Sequence, residues 1–201
     1  GVLRILLQQP LDLKALLFSA VAAFPEGALS PKLADEVCAF CLERLKNYLL
    51  SDYDADVIDA VLSLSPTRLN ELSAQLAAVA QFKRMPEAAA LAAANKRVQN
   101  ILRKNGAVDG KVDQALLQED AERVLHNAMQ ALGPQIDALA QARDYRGALA
   151  QLSGLKAPVD GFFDQVMVMA DDAALRHNRL ALLSQLAGLL NCVADIALLG
   201  E

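Results

Sequence analysis

The sequence contains little that would build sheets, disulfide bonds or metal sites. It has no tryptophan, aromatic residues make up 4% of its 201 residues, and cysteine occurs only at positions 38, 41 and 192. Strands are rich in aromatic and β-branched residues, so this scarcity favours packed helices. Three cysteines are too few for a disulfide framework and indicate a reducing, cytoplasmic setting. Because Cys38-Ala-Phe-Cys41 has no second cysteine pair, we predict two small buried side chains there and no metal.

Catalytic motifs are also missing. The chain has no glycine-rich phosphate loop, no nucleophile elbow and no histidine pair at metal-binding spacing. Its two histidines, His126 and His177, lie far apart in the sequence without an obvious acid or nucleophile partner. We therefore assign no catalytic residue to this chain and expect it to hold no cofactor.

Neither end of the chain resembles a targeting segment. The first residues contain no initiating methionine and no signal-peptide cleavage site, and they are typical of the middle of a helix. We therefore expect a piece of a longer protein. Residues 180–199 are apolar, but they include four polar side chains that would be costly in lipid, so we predict a buried core helix and not a membrane span: Ser184, Gln185, Asn191 and Asp195.

Signals for helix starts and stops recur along the chain, and no segment reads as a strand. We predict an all-α bundle of roughly nine or ten helices. Asp144 and Asp172 each precede a helix as capping residues, and Asn105-Gly106 ends one. We also expect Asp113 to cap a helix that runs towards residue 132, and Gly133-Pro134 to open the next helix over residues 135–141.

The strongest local signal is a predicted helix that starts at Pro86 and changes from alanine-rich to polar. Residues 83–104 carry six basic side chains and one acidic side chain, a local charge of +5 in a chain whose formal net charge is −5. A basic, amide-rich helix end on an acidic protein indicates a localised anion site. The same side chains could instead complement the helix dipole and keep the surface soluble. The candidate binding residues in this segment are Asn95, Lys96, Arg97, Asn100, Arg103 and Lys104.

A second notable segment runs from the aromatic pair Phe162-Phe163 to the start of the last predicted helix. Five apolar side chains at close spacing predict one core face: Phe162, Phe163, Val166, Met167 and Met169. The last helix then begins after Asp171-Asp172. On it Arg176 and Arg179 fall one turn apart and flank Asn178, although Arg179 could equally pair with Asp171 or Asp172.

These segments resemble the beta subunit of bacterial glycyl-tRNA synthetases. The matching stretches stay in order across nearly the whole chain: 43–49, 56–62, 93–102, 162–172, 175–183 and 193–199. That family carries a helical anticodon-binding domain similar to that of arginyl-tRNA synthetase and named for an Asp-Ala-Leu-Arg (DALR) signature. The resemblance implies such a domain over residues 65–201, with residues 1–64 as the end of a preceding helical domain and its connection. The segment Asp172-Ala-Ala-Leu-Arg176 is one residue longer than the signature, which fits a structural helix start better than a binding role.

The resemblance also implies a function. In that family glycine is activated with ATP and magnesium on a separate alpha subunit, and the beta subunit recognises tRNA. We therefore expect a non-catalytic part of an aminoacyl-tRNA synthetase, with glycine tRNA and the alpha subunit as partners and with neither DNA nor membrane. The six residues of the basic helix would contact the anticodon arm, extended along the phosphates by Arg68, Lys83 and Arg84, with Arg176, Asn178 and Arg179 as a second group. The alternative is a helical scaffold for subunit assembly, with residues 88–94 as a close-packing face.

Overall fold

The computed structural model describes residues 1–108 and 110–200, and these residues form helices without any strand. The only extended pairing among them is an isolated bridge between Asp12 and Arg68. Short 3-10 turns cover Leu69–Glu71, Gln114–Leu116, Ser153–Leu155 and Ile196–Leu198. The predicted all-α class is confirmed, with ten α-helices in the described residues: α1 Val2–Leu6, α2 Leu13–Ala22, α3 Leu33–Leu49, α4 Ala55–Leu62, α5 Leu72–Phe82, α6 Ala88–Asn105, α7 Asp120–Gln141, α8 Tyr145–Leu152, α9 Lys156–Gln165 and α10 Ala173–Leu190.

Several predicted helix boundaries are confirmed by their capping hydrogen bonds. Asp172 Oδ1 accepts from the backbone N–H groups of Ala174 and Leu175 at 2.7 and 3.1 Å, at the start of α10. Asp144 caps α8 in the same way. Helix α6 ends at Asn105, and the next residue, Gly106, has a φ of +87°, which a residue without a Cβ adopts at little cost.

We predicted two helices between Asp113 and residue 141, with a break at Gly133-Pro134, and this prediction is wrong. Asp113 caps only the 3-10 turn Gln114–Leu116, and α7 begins later, at a capping box formed by Glu119 and Glu122. Helix α7 then continues through Pro134 to Gln141. A proline inside a helix costs about 3 kcal/mol, but α7 packs against α8, α9 and α10 over its length, and this burial outweighs that cost.

The core is continuous through the described residues. Helix α5 packs on α8, α8 packs on α7, and α6 lies against α9, α10 and the turn Ile196–Leu198. Helix α10 is buried over much of its length through Leu180, Leu182, Leu183, Leu186 and Leu190, as predicted. The helix predicted over residues 180–199 nevertheless ends at Leu190, and the chain continues into the 3-10 turn Ile196–Leu198. None of the described helices is both long enough and apolar enough to cross a membrane.

The predicted boundary between residues 64 and 65 does not coincide with a gap in the packing. Helix α4, which precedes it, contacts α5 and the turn Ile196–Leu198. The carbonyl of Ala60 accepts a hydrogen bond of 2.8 Å from the backbone N–H of Asp195. The two predicted segments therefore share a core at α4, and their division remains a prediction from the resemblance.

Candidate nucleic-acid interface

The predicted basic helix, α6, presents two different faces. Ala88, Leu91, Ala92 and Val98 lie in the core, whereas the opposite face of the second half is exposed. This exposed face borders a shallow groove of about 450 Å³ whose other side includes Met169. The groove therefore combines charged, amide and apolar surface, and its lining includes Lys96, Arg97, Asn100, Ile101, Lys104 and Met169.

Arg97 lines this groove and contacts an aromatic ring. Its guanidinium lies over the ring of Phe163, 4.2 Å from the ring centroid. Phe163 is half-buried and packs edge-on against the fully buried Phe162, with ring centroids 5.5 Å apart. A cation over an aromatic ring is stabilised by about 0.5–1 kcal/mol at an exposed site, so this contact restrains a side chain that would otherwise be mobile.

Asn100 is oriented by its neighbour on the next turn. Arg103 Nη2 donates to Asn100 Oδ1 at 2.8 Å. The Asn100 amide N–H₂ forms no hydrogen bond with another described residue and remains available to an acceptor in the groove. Lys104 is exposed and forms no ion pair within the described part of the chain.

Asn95, by contrast, is fully buried, and its predicted contact with a ligand is corrected. Its Nδ2 donates to Asn191 Oδ1 at 2.8 Å and to Asp195 Oδ1 at 3.3 Å. Gln99, which the sequence did not mark as a candidate, donates to the same Asp195 oxygen at 2.8 Å. The physical reason is helical spacing, because position 95 lies one turn from the core residue Leu91. These amides fix α6 to the C-terminal end of the fold.

The residues of the second predicted group, Arg176, Asn178 and Arg179, form hydrogen bonds with other parts of the chain, and the last two are buried. Asn178 is buried, accepts from the N–H of Asp113 at 2.7 Å and donates to its carbonyl at 3.0 Å. Arg179, only 5% exposed, donates to Glu122 and not to Asp171 or Asp172. These burials correct the predicted ligand contacts of Asn178 and Arg179.

The ion pair of Arg179 and Glu122 is well satisfied. The Nε–Oε1 distance is 2.8 Å, and Glu122 Oε2 also accepts from the backbone N–H groups of Gln118 and Glu119. Burial alone would raise the pKa of Glu122, but these hydrogen bonds and the positive charge of Arg179 outweigh it, so the pKa is lowered. Glu122 is therefore held as a carboxylate beside a guanidinium.

Two arginines hold the segment that forms the second wall of the groove. Arg179 Nη1 donates to the carbonyl of Met167 at 2.8 Å, and Arg176 Nη1 donates to that of Ala170 at 2.7 Å. Within this segment Met167 and Met169 are 75% and 44% exposed, so their predicted place in the core is wrong.

Met167 and Met169 are exposed because the backbone changes from helical to extended at the end of α9. The chain becomes extended at Val166, and side chains of an extended segment alternate between two sides. Val166 and Val168 therefore turn inward, and Met167 and Met169 turn outward.

The three residues predicted to extend the phosphate track do not line the groove. Lys83 lies just after α5, where it contacts Asp54 at 3.0 Å and Asp56 at 2.8 Å, and its hydrogen bonds to both carboxylates raise its pKa. Lys83 lies shortly before the start of α6, which is about 27 Å long at 1.5 Å per residue, whereas the groove borders the second half of that helix. Arg84 and Arg68 are exposed, and Arg68 lies 4.0 Å from Glu71.

The described residues offer no obvious metal centre. They contain no cluster of three or more histidine, cysteine or acidic side chains placed to hold an ion. Cys38 is buried, as predicted, whereas Cys41 and Cys192 are partly buried. Burial raises the pKa of the Cys192 thiol to about 11, which keeps it protonated and unreactive.

The groove combines cations, an amide and apolar surface, which is a combination that proteins use to bind unpaired RNA. Residues 91–197, which include this groove, match the DALR anticodon binding domain, and the chain belongs to that family. Over its full length it is 51% identical to the glycine–tRNA ligase beta subunit of Neisseria gonorrhoeae (strain ATCC 700825 / FA 1090), of which it covers 29%.

Similar proteins occur in other bacteria. The glycine–tRNA ligase beta subunit of Leptothrix cholodnii (strain ATCC 51168 / LMG 8142 / SP-6) is 50% identical, over 98% of this chain and 28% of that protein. That of Aromatoleum aromaticum (strain DSM 19018 / LMG 30748 / EbN1) is 48% identical, over 98% and 29%. These matches confirm the resemblance expected from the sequence. The chain spans less than a third of the length of these curated relatives.

Proposed function

We propose that this chain binds the anticodon arm of glycine tRNA as part of the beta subunit of a cytoplasmic glycine–tRNA ligase. The groove between α6 and Met169 is the observation that carries this proposal, because it combines cations, an amide donor and apolar surface. Protein recognition of unpaired RNA uses this combination, with cations on phosphates and amides or planar groups on splayed bases. The alpha subunit is the proposed partner, and ATP and magnesium act there rather than on this chain.

The chemistry of the groove suits cytosine. Glycine codons require two cytosines in the anticodon, and each cytosine offers acceptor atoms beside its amino donor. The free N–H₂ of Asn100 is matched to such an acceptor because Arg103 already occupies its oxygen. Lys96 and Lys104 lie on the same exposed face, where they would meet the phosphates.

The test is binding of this chain to glycine tRNA and to the same tRNA with both anticodon cytosines replaced, at several salt concentrations. We expect tighter binding to the natural anticodon. Replacing Lys96 and Lys104 together by alanine should weaken binding to both tRNAs and reduce the slope of log affinity against log salt by about 0.7 to 0.9 for each phosphate that is no longer neutralised. Asn100→Ala should instead reduce the preference for the natural anticodon more than it reduces overall affinity.

Lys32→Ala is the matched charge control, because Lys32 precedes α3, which packs mainly on α2 and α4, and it does not line the groove. It should leave both affinity and salt slope unchanged. If the double lysine variant behaves like this control, the groove does not bind the phosphates. If the natural chain and the longer protein that contains it both bind the two tRNAs equally, anticodon recognition is ruled out.

A second candidate function is subunit assembly, favoured by an exposed apolar surface on α2 and α3. Phe18, Phe40 and Tyr48 are 48%, 63% and 56% exposed there. Exposed aromatic side chains in this number are typical of a contact with another protein surface. The alanine-rich residues 88–94 are a poorer assembly face, because Ala88, Leu91 and Ala92 are already buried within the chain. If the binding experiment shows no recognition of the anticodon, subunit assembly is the remaining candidate function.

A further inference from the structure

We infer that Arg97 acts as a stacking surface for one unpaired anticodon base, with Met169 as the opposite wall, and not as a phosphate contact. This inference rests on the proposed function. It assigns to Arg97 a role different from that of the lysines in the same groove. Phe163, which contacts the guanidinium from below, becomes a positioning residue for base recognition.

The first argument is the restraint on the guanidinium. A guanidinium can bind a phosphate or stack on a base, and stacking requires that its plane be held in one orientation with one face open. The ring of Phe163, with its centroid 4.2 Å from Arg97 Cζ, supplies that restraint. Phe163 is in turn fixed by the buried Phe162.

The second argument is the apolar surface next to this cation. Met169 lines the same groove as Arg97 and remains 44% exposed, although neighbouring Val168 is buried. A thioether is a soft, polarisable contact for an aromatic ring. Contact with Met169 would not stabilise a phosphate, whereas it would remove the apolar face of a base from water.

The third argument is the rigidity of both walls. Partly buried hydrogen bonds of Asn95 and Gln99 to Asp195 hold the helix that carries Arg97. Hydrogen bonds from Arg179 and Arg176 to the backbone of residues 167 and 170 fix the segment that carries Met169. The groove is therefore formed before a ligand enters. A preformed slot avoids the ordering cost that a flexible surface would incur on binding.

The decisive variant is Arg97→Lys, which keeps the positive charge and removes the planar group. The binding partner is a glycine tRNA anticodon stem-loop carrying the fluorescent base pyrrolocytosine at one of its two anticodon cytosines, in each position in turn. The protein is the full-length subunit that contains this chain, assembled with its alpha subunit, and the 201-residue chain is measured in parallel. For Arg97→Lys we expect affinity about 5- to 100-fold lower, an unchanged salt slope, and loss of the quenching that stacking produces at one of the two positions.

Phe163→Leu is the second variant, because it leaves Arg97 itself unchanged and keeps an apolar side chain on Phe162. It should also reduce quenching at that position without changing the salt slope. Thermal unfolding of this variant shows whether the fold is retained. Lys104→Ala is the matched control, and it should lower the salt slope while quenching in the bound complex persists.

The outcomes separate this inference from the function on which it rests. If the natural protein prefers the natural anticodon and Arg97→Lys retains its affinity and quenching, the stacking role is wrong and the proposed function stands. If Arg97→Lys and Arg97→Ala differ only in salt slope, Arg97 is a phosphate contact and the inference is overturned. If the natural protein has no anticodon preference, the proposed function fails and this inference fails with it.

Discussion

Replacing Glu122 by glutamine should destabilise the whole fold more than its small change in size suggests. Glu122 is fully buried, and both of its oxygens accept hydrogen bonds: Oε1 from Arg179 Nε, and Oε2 from Arg179 Nη2 and the backbone N–H groups of Gln118 and Glu119. A glutamine has one oxygen and one N–H₂ group. In either orientation the N–H₂ would point at a donor, and Arg179 would lose its counter-charge.

The magnitude follows from the burial of both partners. Breaking a buried ion pair by removing one charge costs about 3–5 kcal/mol, since the other charge is left uncompensated. Arg179 is 5% exposed, so solvent offers it little compensation. In a chain of this size each kcal/mol lowers the melting temperature by about 2–4 °C. We therefore expect a decrease of about 6–20 °C for Glu122→Gln.

The assay is thermal and urea unfolding at neutral pH, followed by far-ultraviolet circular dichroism. Three variants form a double-mutant cycle: Glu122→Gln, Arg179→Met and the pair together. The double variant should lose less stability than the sum of the single variants, because it leaves no unpaired charge behind. A loss below about 1 kcal/mol for Glu122→Gln, or strict additivity in the cycle, would refute this reasoning.

Two further predictions concern the buried Asn95 and the partly buried Asp56. Asn95→Leu should lower the free energy of unfolding by about 1–3 kcal/mol, because Asn191 Oδ1 would lose its donor, whereas Asp195 Oδ1 would keep the donor of Gln99. Urea unfolding at neutral pH measures this change, and an unchanged midpoint would show that the bond to Asn191 contributes little. Burial of Asp56 would raise its pKa, but hydrogen bonds from Lys83 and a backbone N–H lower it overall. Its contribution to stability is therefore present above the unfolded-state pKa of about 4 and disappears as pH falls through the lower folded-state value. The urea unfolding midpoints of the natural chain and of Asp56→Asn should therefore converge at low pH. A difference that stays constant with pH would contradict the expected loss of the Asp56 contribution on acidification.

Helical periodicity in the sequence is sufficient to predict most of the fold. Asp144 and Asp172 cap the helices that follow them, as the sequence predicts, since a capping side chain acts on neighbouring backbone and needs no distant partner. The continuous helix through Pro134 cannot be predicted in this way. Proline is a strong local signal, and here it is overridden by packing against helices far away in the sequence.

The candidate site is harder to predict because asparagine and arginine serve both surface and interior roles. Asn95 could have been recognised as buried, since it lies four residues after Leu91 and three before Val98, both in the core. Arg179 stands in a similar relation to Leu182 and Leu183. Asn178 stands in the same relation to Ala181 and Leu182, but α10 is buried on most sides in that region, so periodicity does not clearly separate its faces.

Burial of these polar residues strengthens the case for the groove. Asn95 and Arg179 do not face a ligand, but each fixes one of the two walls through hydrogen bonds to distant parts of the chain. A surface arginine that recognises a base must hold its plane while the RNA arrives, and an immobilised side chain of this kind saves about 0.5–1.5 kcal/mol of ordering cost on binding. Under the proposed function, the interior polar contacts support recognition indirectly, because they hold α6 and the segment of Met169, which line the same groove.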